Sequence, residues 1–437
     1  MFRYRSHRIS RREVLARAAL CALTAAAIAA GVCIFAFALA ERQAPAQAGS
    51  SYTAGPHTLT GIDALEEGNF AALRGKRSGP VRVGLITNQT GVDSQGRRTI
   101  DVLARAPGVK LAAIFSPEHG LAGNEDEPSV ANSIDAATHL PVFSLYGETK
   151  RPTPQMLQGL DALVFDVQDA GVRFYTYITT MAYAMEEAAR NHISFFVLDR
   201  PDPLGGEVIE GPVLDRERTS FVGYFPMPVR YAMTMGELAQ MFNAENKIGA
   251  TLQVIVMKNW RRGESYDQTG LSWIAPSPNL RTVNEAFLYP GIEILQAAGV
   301  SVGRGTEAPF EILGAPWIRG EEFAQALNAR KVPGVSFGPA QFSPKEDPYK
   351  GRLCEGVTIE LANRAALRPM LLGLTMADVL HRLYPEKFQT QKMMALLGSQ
   401  ATIDRLQRGD NPAAIEAGWA SELDQFRMMR AKYLLYP

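Results

Sequence analysis

Short runs of consecutive apolar residues alternate with longer stretches of helical periodicity from about Gly61 onward. Val81 to Thr87, Lys110 to Ser116, Val142 to Leu145, Ala162 to Val167 and Ile193 to Leu198 read as strands. Thr99 to Ala106, Thr153 to Leu160 and Ile178 to Asn191 read as the helices between them. Strands that are apolar on both faces and separated by helices belong to a parallel sheet covered on both sides, so the pattern predicts a doubly wound α/β domain. Thr234-Met235-Gly236-Glu237 has the spacing of a capping box, opens a helix through about Glu245, and closes a first domain over residues 58–249. Beyond Gly249 the pattern changes character. A strand at Leu252 to Met257 leads into a polar stretch and the loop Pro276-Ser277-Pro278-Asn279. Helices follow at Gly291 to Ala298, Glu321 to Ala329, Pro369 to Leu383 and Ala413 to Leu434, with strands near Val335 to Phe337 and Val357 to Leu361. Residues 250–437 therefore read as a second, smaller α+β domain.

Residues 1–48 follow neither pattern. Arg3, Arg5, Arg8, Arg11, Arg12 and Arg17 lead into 23 uncharged residues, 18–40, and then into Ala- and Gln-rich sequence. That is the layout of an export signal. Ser10-Arg11-Arg12-Glu13-Val14-Leu15 resembles a twin-arginine signal, which implies export of a folded protein. Ala38-Leu39-Ala40 and Ala46-Gln47-Ala48 offer cleavage sites, and cleavage is the favoured reading, although the apolar run is also long enough for an uncleaved membrane anchor. Either way the body is expected outside the cytoplasm, periplasmic or extracellular. The whole chain holds 45 basic and 45 acidic residues; from residue 41 on, the balance is 39 to 44. A mildly acidic body lacks the basic stripe that nucleic acids select for, and a 46% hydrophobic composition excludes a disordered chain. Cys354 is the one cysteine beyond the leader, so no internal disulfide and no thiolate metal site is expected.

In an open parallel sheet, ligands sit outside the carboxyl ends of the strands, where loops diverge and helices begin. The first strand runs into Thr87-Asn88-Gln89-Thr90-Gly91, and the second into Ser116-Pro117-Glu118-His119-Gly120. The fourth continues as Asp166-Val167-Gln168-Asp169-Ala170-Gly171-Val172-Arg173-Phe174-Tyr175-Thr176-Tyr177, and the fifth as Asp199-Arg200-Pro201-Asp202. Three strand ends thus bring carboxylates to one edge. Glu118 follows a proline and precedes an imidazole and a glycine, a rigid setting for a group that must hold a proton at a fixed distance from a leaving oxygen. If Gly171 to Tyr177 is extended, Arg173, Tyr175 and Tyr177 share one face, a cation and two phenols suited to a carboxylate-bearing sugar. Asp199 and Asp202 also read as helix caps, the tyrosines as core-edge residues, and His119 among acids as a metal ligand, though no His or Cys partner stands at ligand spacing. The loop Gly303-Arg304-Gly305-Thr306-Glu307 lacks the third glycine of a dinucleotide fingerprint and the ending of a phosphate loop, and no Gly-x-Ser-x-Gly elbow occurs. No cofactor and no metal is expected.

The segments GLITNQTGVD, FSPEHGLAG, VFDVQDAGVRFYTY, VLDRPDPLGG, PSPNL and GRGTEAPFEILGAPW, in that order, resemble the exo-β-N-acetylmuramidase family, formerly a domain of unknown function. The resemblance covers nearly all of residues 58–437. It implies a Rossmann-like first domain, a smaller second domain completing a cleft, and release of terminal N-acetylmuramic acid from the non-reducing end of peptidoglycan fragments, with Glu118 matching the glutamate favoured in the family's mechanism. Two departures stand out: Leu280-Arg281 where a proline is expected, and Ala232 where glycine is frequent. Glycoside hydrolysis needs a proton donor and usually a second carboxyl group. Glu118 is the candidate acid, Asp169 its leading partner, with Asp166 or Glu307 behind it. Asn88, His119, Arg173, Tyr175, Tyr177, Asp199, Asn279, Arg304 and Glu307 are the candidate substrate contacts, Arg173 or Arg304 as the cation for the lactyl carboxylate. The competing readings are a non-catalytic muropeptide-binding protein and a metal-dependent hydrolase centred on His119 with Asp166 and Asp169.

Overall fold

Seven strands form one twisted sheet in the computed structural model, which describes residues 57–75, 79–127 and 129–437. They are β1 (Val81–Thr87), β2 (Val109–Ser116), β3 (Ser133–Ile134), β4 (Pro141–Ser144), β5 (Ala162–Asp166), β6 (Ser194–Leu198) and β7 (Leu252–Ile255), in the order β3-β4-β2-β1-β5-β6-β7. All pairs are parallel except β3 with β4. The chain winds outward from β1 to β2 and β4, then returns to β5 on the other side of β1. The winding therefore reverses between β1 and β5, the place where such sheets open a ligand crevice.

The sheet is buried on both faces because its strands alternate between two cores. Ala162, Val164, Phe196 and Leu198 join Val83 and Leu85 in a core under the helices Gly61–Glu67 and Thr99–Ala104. Leu163, Phe165, Phe195 and Val197 point the other way, into a larger core with Tyr177, Ile178, Met181 and Met185 of the helix Tyr177–Arg190 and Leu238 and Phe242 of the helix Met235–Glu245. Thr234 and Glu237 make the capping box that the sequence predicts.

The larger core runs on into a second sheet of β8 (Ile312–Ala315), β9 (Val335–Phe342) and β10 (Cys354–Leu361), antiparallel in the order β8-β10-β9. The helix Val283–Gln296 begins eight residues before its expected start and is capped by Thr282, whose hydroxyl accepts the Glu285 amide while the Glu285 carboxylate accepts the Thr282 amide at 2.8 Å. It crosses the helix Pro369–Leu383 closely: a Cβ at Gly291 would lie 1.8 Å from the Pro369 carbonyl oxygen, so only glycine fits there.

Three expectations are corrected. The strand at Leu252, assigned by pattern to the second domain, pairs in parallel with β6 and is the edge of the first sheet. The expected helix from Ala413 to Leu434 is two, Pro412–Ala417 and Ala420–Arg430, divided at Gly418 and Trp419. Gly171 to Thr176 is not extended: Gly171 has φ 75° and the Tyr175 amide turns back to the Val172 carbonyl. Ala232, one of the two departures from the pattern that the resemblance implies, has φ 55°, a region that glycine enters without strain. The export-signal reading of residues 1–48 lies outside the described residues. Among those described, no helix is long and apolar enough to cross a membrane.

Candidate active site

Glu118 stands at the carboxyl end of β2 on a tight turn. Pro117 fixes the approach, the Gly120 amide donates back to the Pro117 carbonyl at 3.1 Å, and His119 and Gly120 both take positive φ, 70° and 73°. A side chain on Gly120 would meet the Glu125 carboxylate at 2.5 Å, so the glycine keeps the turn closed. The Glu118 side chain is half-buried. Its Oε2 accepts from the Thr176 hydroxyl, which immediately precedes the helix Tyr177–Arg190. Tyr146, just beyond β4, lies against the same carboxylate, and burial, reinforced by that carboxylate, holds the Tyr146 phenol well above its ordinary value. The Tyr177 hydroxyl accepts from Asn88 Nδ2 at 3.0 Å and lies 2.7 Å from the Pro276 carbonyl and 3.2 Å from that of Glu118. Thr176 at the start of the helix after β5 and Tyr146 after β4 therefore meet the Glu118 carboxyl group, while Tyr177 and, through it, Asn88 after β1 lie against the Glu118 backbone carbonyl.

Around it the structure sorts the sequence-derived candidates. Asn88, His119, Tyr175, Tyr177, Asn279 and Arg304 gather at this edge with Glu118. His119 is buried, its Nδ1 2.7 Å from the Glu125 carbonyl and 3.7 Å from Asp126. Tyr175 packs edge-on against Tyr177 and Tyr289. Asn279 bridges the two sheets, donating to Asp126 and Glu346 at 3.2 Å each while its Oδ1 accepts the Gly305 amide. Arg304 donates to both oxygens of Asp126, at 3.0 and 2.8 Å. Asp169 is buried beneath: one oxygen accepts from Tyr231 and the Gly171 amide, the other has no hydrogen-bond partner, and desolvation pushes its pKa up to about 6.

Four candidates are placed elsewhere. Asp166 is fully buried and closed by Arg200, at 2.6 and 3.0 Å, and by Thr99, so both its oxygens are committed to a structural ion pair. Asp199 caps the helix Met235–Glu245, accepting the Gly236 amide at 2.8 Å and the Thr234 hydroxyl at 2.7 Å, with Tyr436 closing it. Arg173 is fully buried and donates to the carbonyls of Pro212, Met227, Leu396 and Leu397 at 2.7 to 2.9 Å. The turn closed by the Tyr175 amide on the Val172 carbonyl breaks the shared face with Tyr175 and Tyr177, and with its guanidinium committed to those carbonyls Arg173 cannot serve as the cation of a substrate pocket. The Glu307 side chain is 91% exposed and pairs with Arg281 at 3.2 Å.

Sequence reasoning missed Thr176, Tyr146, Tyr289, Glu293, Asp126 and Glu346. For one pair the signal was present: Tyr289 and Glu293 stand four residues apart and share a helix face. Among the described residues, one group could hold a metal ion, Asp63, Glu66 and Asp93; its oxygens already accept from Thr60, Ser94 and Arg97.

The family described as exo-β-N-acetylmuramidase NamZ matches through two models, the N-terminal one over residues 83–284 and the C-terminal one over residues 287–436. The peptidoglycan β-N-acetylmuramidase NamZ of Bacillus subtilis (strain 168) is 44% identical over 385 residues, covering 87% of this chain and 92% of that protein. Crystal structures of two DUF1343 family proteins from Bacteroides fragilis NCTC 9343 have TM-scores of 0.79 and 0.71 at 39% and 30% identity, each comparison covering 87% of this chain and 99% of the other. With both models covering nearly the whole folded body and a relative this similar across its length, the chain belongs to the exo-β-N-acetylmuramidase NamZ family.

Proposed function

We propose that this protein is an exo-acting glycoside hydrolase that releases terminal N-acetylmuramic acid from the non-reducing end of peptidoglycan fragments, outside the cytoplasm. The observation that carries the reading is the Glu118 carboxyl: half-buried, on a turn without slack, and oriented by Thr176 and Tyr146 beside the reversal point of the sheet. A general acid must meet its leaving oxygen at hydrogen-bond distance, and such constraint on backbone and carboxyl serves that need. Glu118 donates its proton to the glycosidic oxygen as the bond to the anomeric carbon breaks. A water then adds to that carbon, and its proton passes to a carboxylate. Asp169 is the first choice for the second carboxyl group, with one oxygen unused and a pKa lifted by burial. The Arg-rich and apolar leader supports export, which brings the enzyme to cell-wall fragments.

The test is hydrolysis of a chromogenic N-acetylmuramide beside the matching N-acetylglucosaminide, with and without excess chelator. Preferential muramide cleavage that survives chelation is the expected result. Tight binding without turnover would make the protein a muropeptide binder, and activity lost to chelator and restored by zinc would make it a metallohydrolase.

A further inference from the structure

A sugar that carries a lactyl carboxylate needs a cation, and Arg304 is the guanidinium that the fold brings near Glu118. That cation is already surrounded. Asp126 holds it bidentately, Glu293 Oε1 lies 3.5 Å from Nη1, and Glu346 Oε2 lies 3.6 Å from Nε. Three ionised carboxylates around one guanidinium would repel a fourth. Asp126 is held ionised by Arg304, and Glu346 is pushed up by burial and by Asp126. Glu293 decides the balance. It is buried on the helix Val283–Gln296, touches Arg304 through a single long contact, and leaves Oε2 buried without a hydrogen-bond partner.

Resting on the functional reading above, we propose that Glu293 governs recognition of the lactyl carboxylate through Arg304: as a neutral acid it leaves the guanidinium's charge available to the ligand, and as a carboxylate it cancels that charge. Desolvation pushes its pKa up to about 7, against the pull of Arg304, so the change falls near neutral pH. The groups facing Glu293 are Arg304, Asp126 and Glu118 from the loops and Tyr289 one turn before it, with Glu346 beyond Arg304 and His119 beyond Asp126. The helix Pro369–Leu383, packed on the other side, directs its charges elsewhere: Asp378 binds Arg330 and Arg382, and His381 lies against Thr390. Lys392 on the neighbouring turn is exposed. Glu293 is thus a specificity-determining residue acting through Arg304.

The experiment measures binding, in a Glu118→Gln background that keeps substrate intact, of the N-acetylmuramyl-N-acetylglucosamine disaccharide and of chitobiose, by calorimetry from pH 5.5 to 8.5. Muramyl affinity should fall by about tenfold across that range while chitobiose affinity stays level, the size expected of one added negative charge in a partly screened site. Glu293→Gln should abolish the fall and hold the acid-side affinity throughout. Arg304→Gln should remove the preference for the muramyl disaccharide at every pH. A Glu293→Gln protein with the same fall, or muramyl binding that is level with pH in its parent, overturns the proposal. Turnover of the muramide by the unmutated chain separates the two claims: cleavage with a level profile overturns the Glu293 assignment alone, and neither binding nor cleavage overturns both.

Discussion

Replacing Arg173 by methionine, which keeps the apolar stem and removes the guanidinium, should destabilise the fold and leave substrate choice intact. The side chain is fully buried and satisfies four carbonyls, two from the Pro212 and Met227 segments and two from Leu396 and Leu397 near the end of the chain. Burial pulls its pKa down, to about 9, and the four acceptors hold the proton in place. Removing the donor orphans carbonyls at about 1 to 3 kcal/mol each, while relieving the cost of burying a charge. The net is about 4 kcal/mol, in the range for breaking one side of a buried charged network. For the about 380 described residues at roughly 2.1 cal/mol/K each, the unfolding entropy is about 0.8 kcal/mol/K, so the melting temperature should drop by about 5 °C. Arg173→Lys should recover less than half of that, because one ammonium cannot reach four carbonyls spread across a planar fork. Scanning calorimetry reads the stability and the ratio of muramide to glucosaminide hydrolysis reads the specificity. A variant that melts like the parent but loses its muramide preference would return Arg173 to the substrate and refute the packing argument.

Thr176→Val, which keeps shape and deletes the donor to Glu118 Oε2, should lower kcat by about tenfold with little change in KM; an equal loss in KM would make Thr176 a binding residue. Asp202 is buried, with one oxygen accepting the Leu204 amide and the other unpartnered, and desolvation raises its pKa to about 7. Its folded pKa lies above the unfolded one, so the stability it contributes is present below about pH 4 and lost as pH rises to about 7. Asp202→Asn should therefore gain stability relative to the parent between pH 4.5 and 8 in urea titrations, and a difference independent of pH would contradict the assignment.

The first sheet was readable because its apolar runs are long, two-faced and punctuated by helices, and the same pattern put Glu118 at a strand end. What failed was local. Arg173 reads as part of an alternating strand until Gly171 turns at positive φ, and Asp199, which reads both as a substrate contact and as a helix cap, is a cap because Thr234 and Gly236 come back to it from 35 and 37 residues away. The strand at Leu252 reads as part of the second domain because the pattern changes after Gly249 and a polar stretch follows, whereas its pairing with β6 makes it an edge of the first sheet. Glu293 went unseen because Pro290-Gly291 looks like a helix start, although the Thr282 and Glu285 box marks the true one. Thr176 and Tyr146 carry no sequence signal of their own; only the fold brings them to Glu118.

The rate at which Glu118→Gln releases N-acetylmuramic acid from the N-acetylmuramyl-N-acetylglucosamine disaccharide tests the account most directly. The amide keeps the size and the contact with Thr176 but has no carboxyl proton to give, so turnover should fall by about 100-fold or more with the melting temperature unchanged. Turnover within a few-fold of the parent would remove Glu118 from the chemistry and contradict the proposed site.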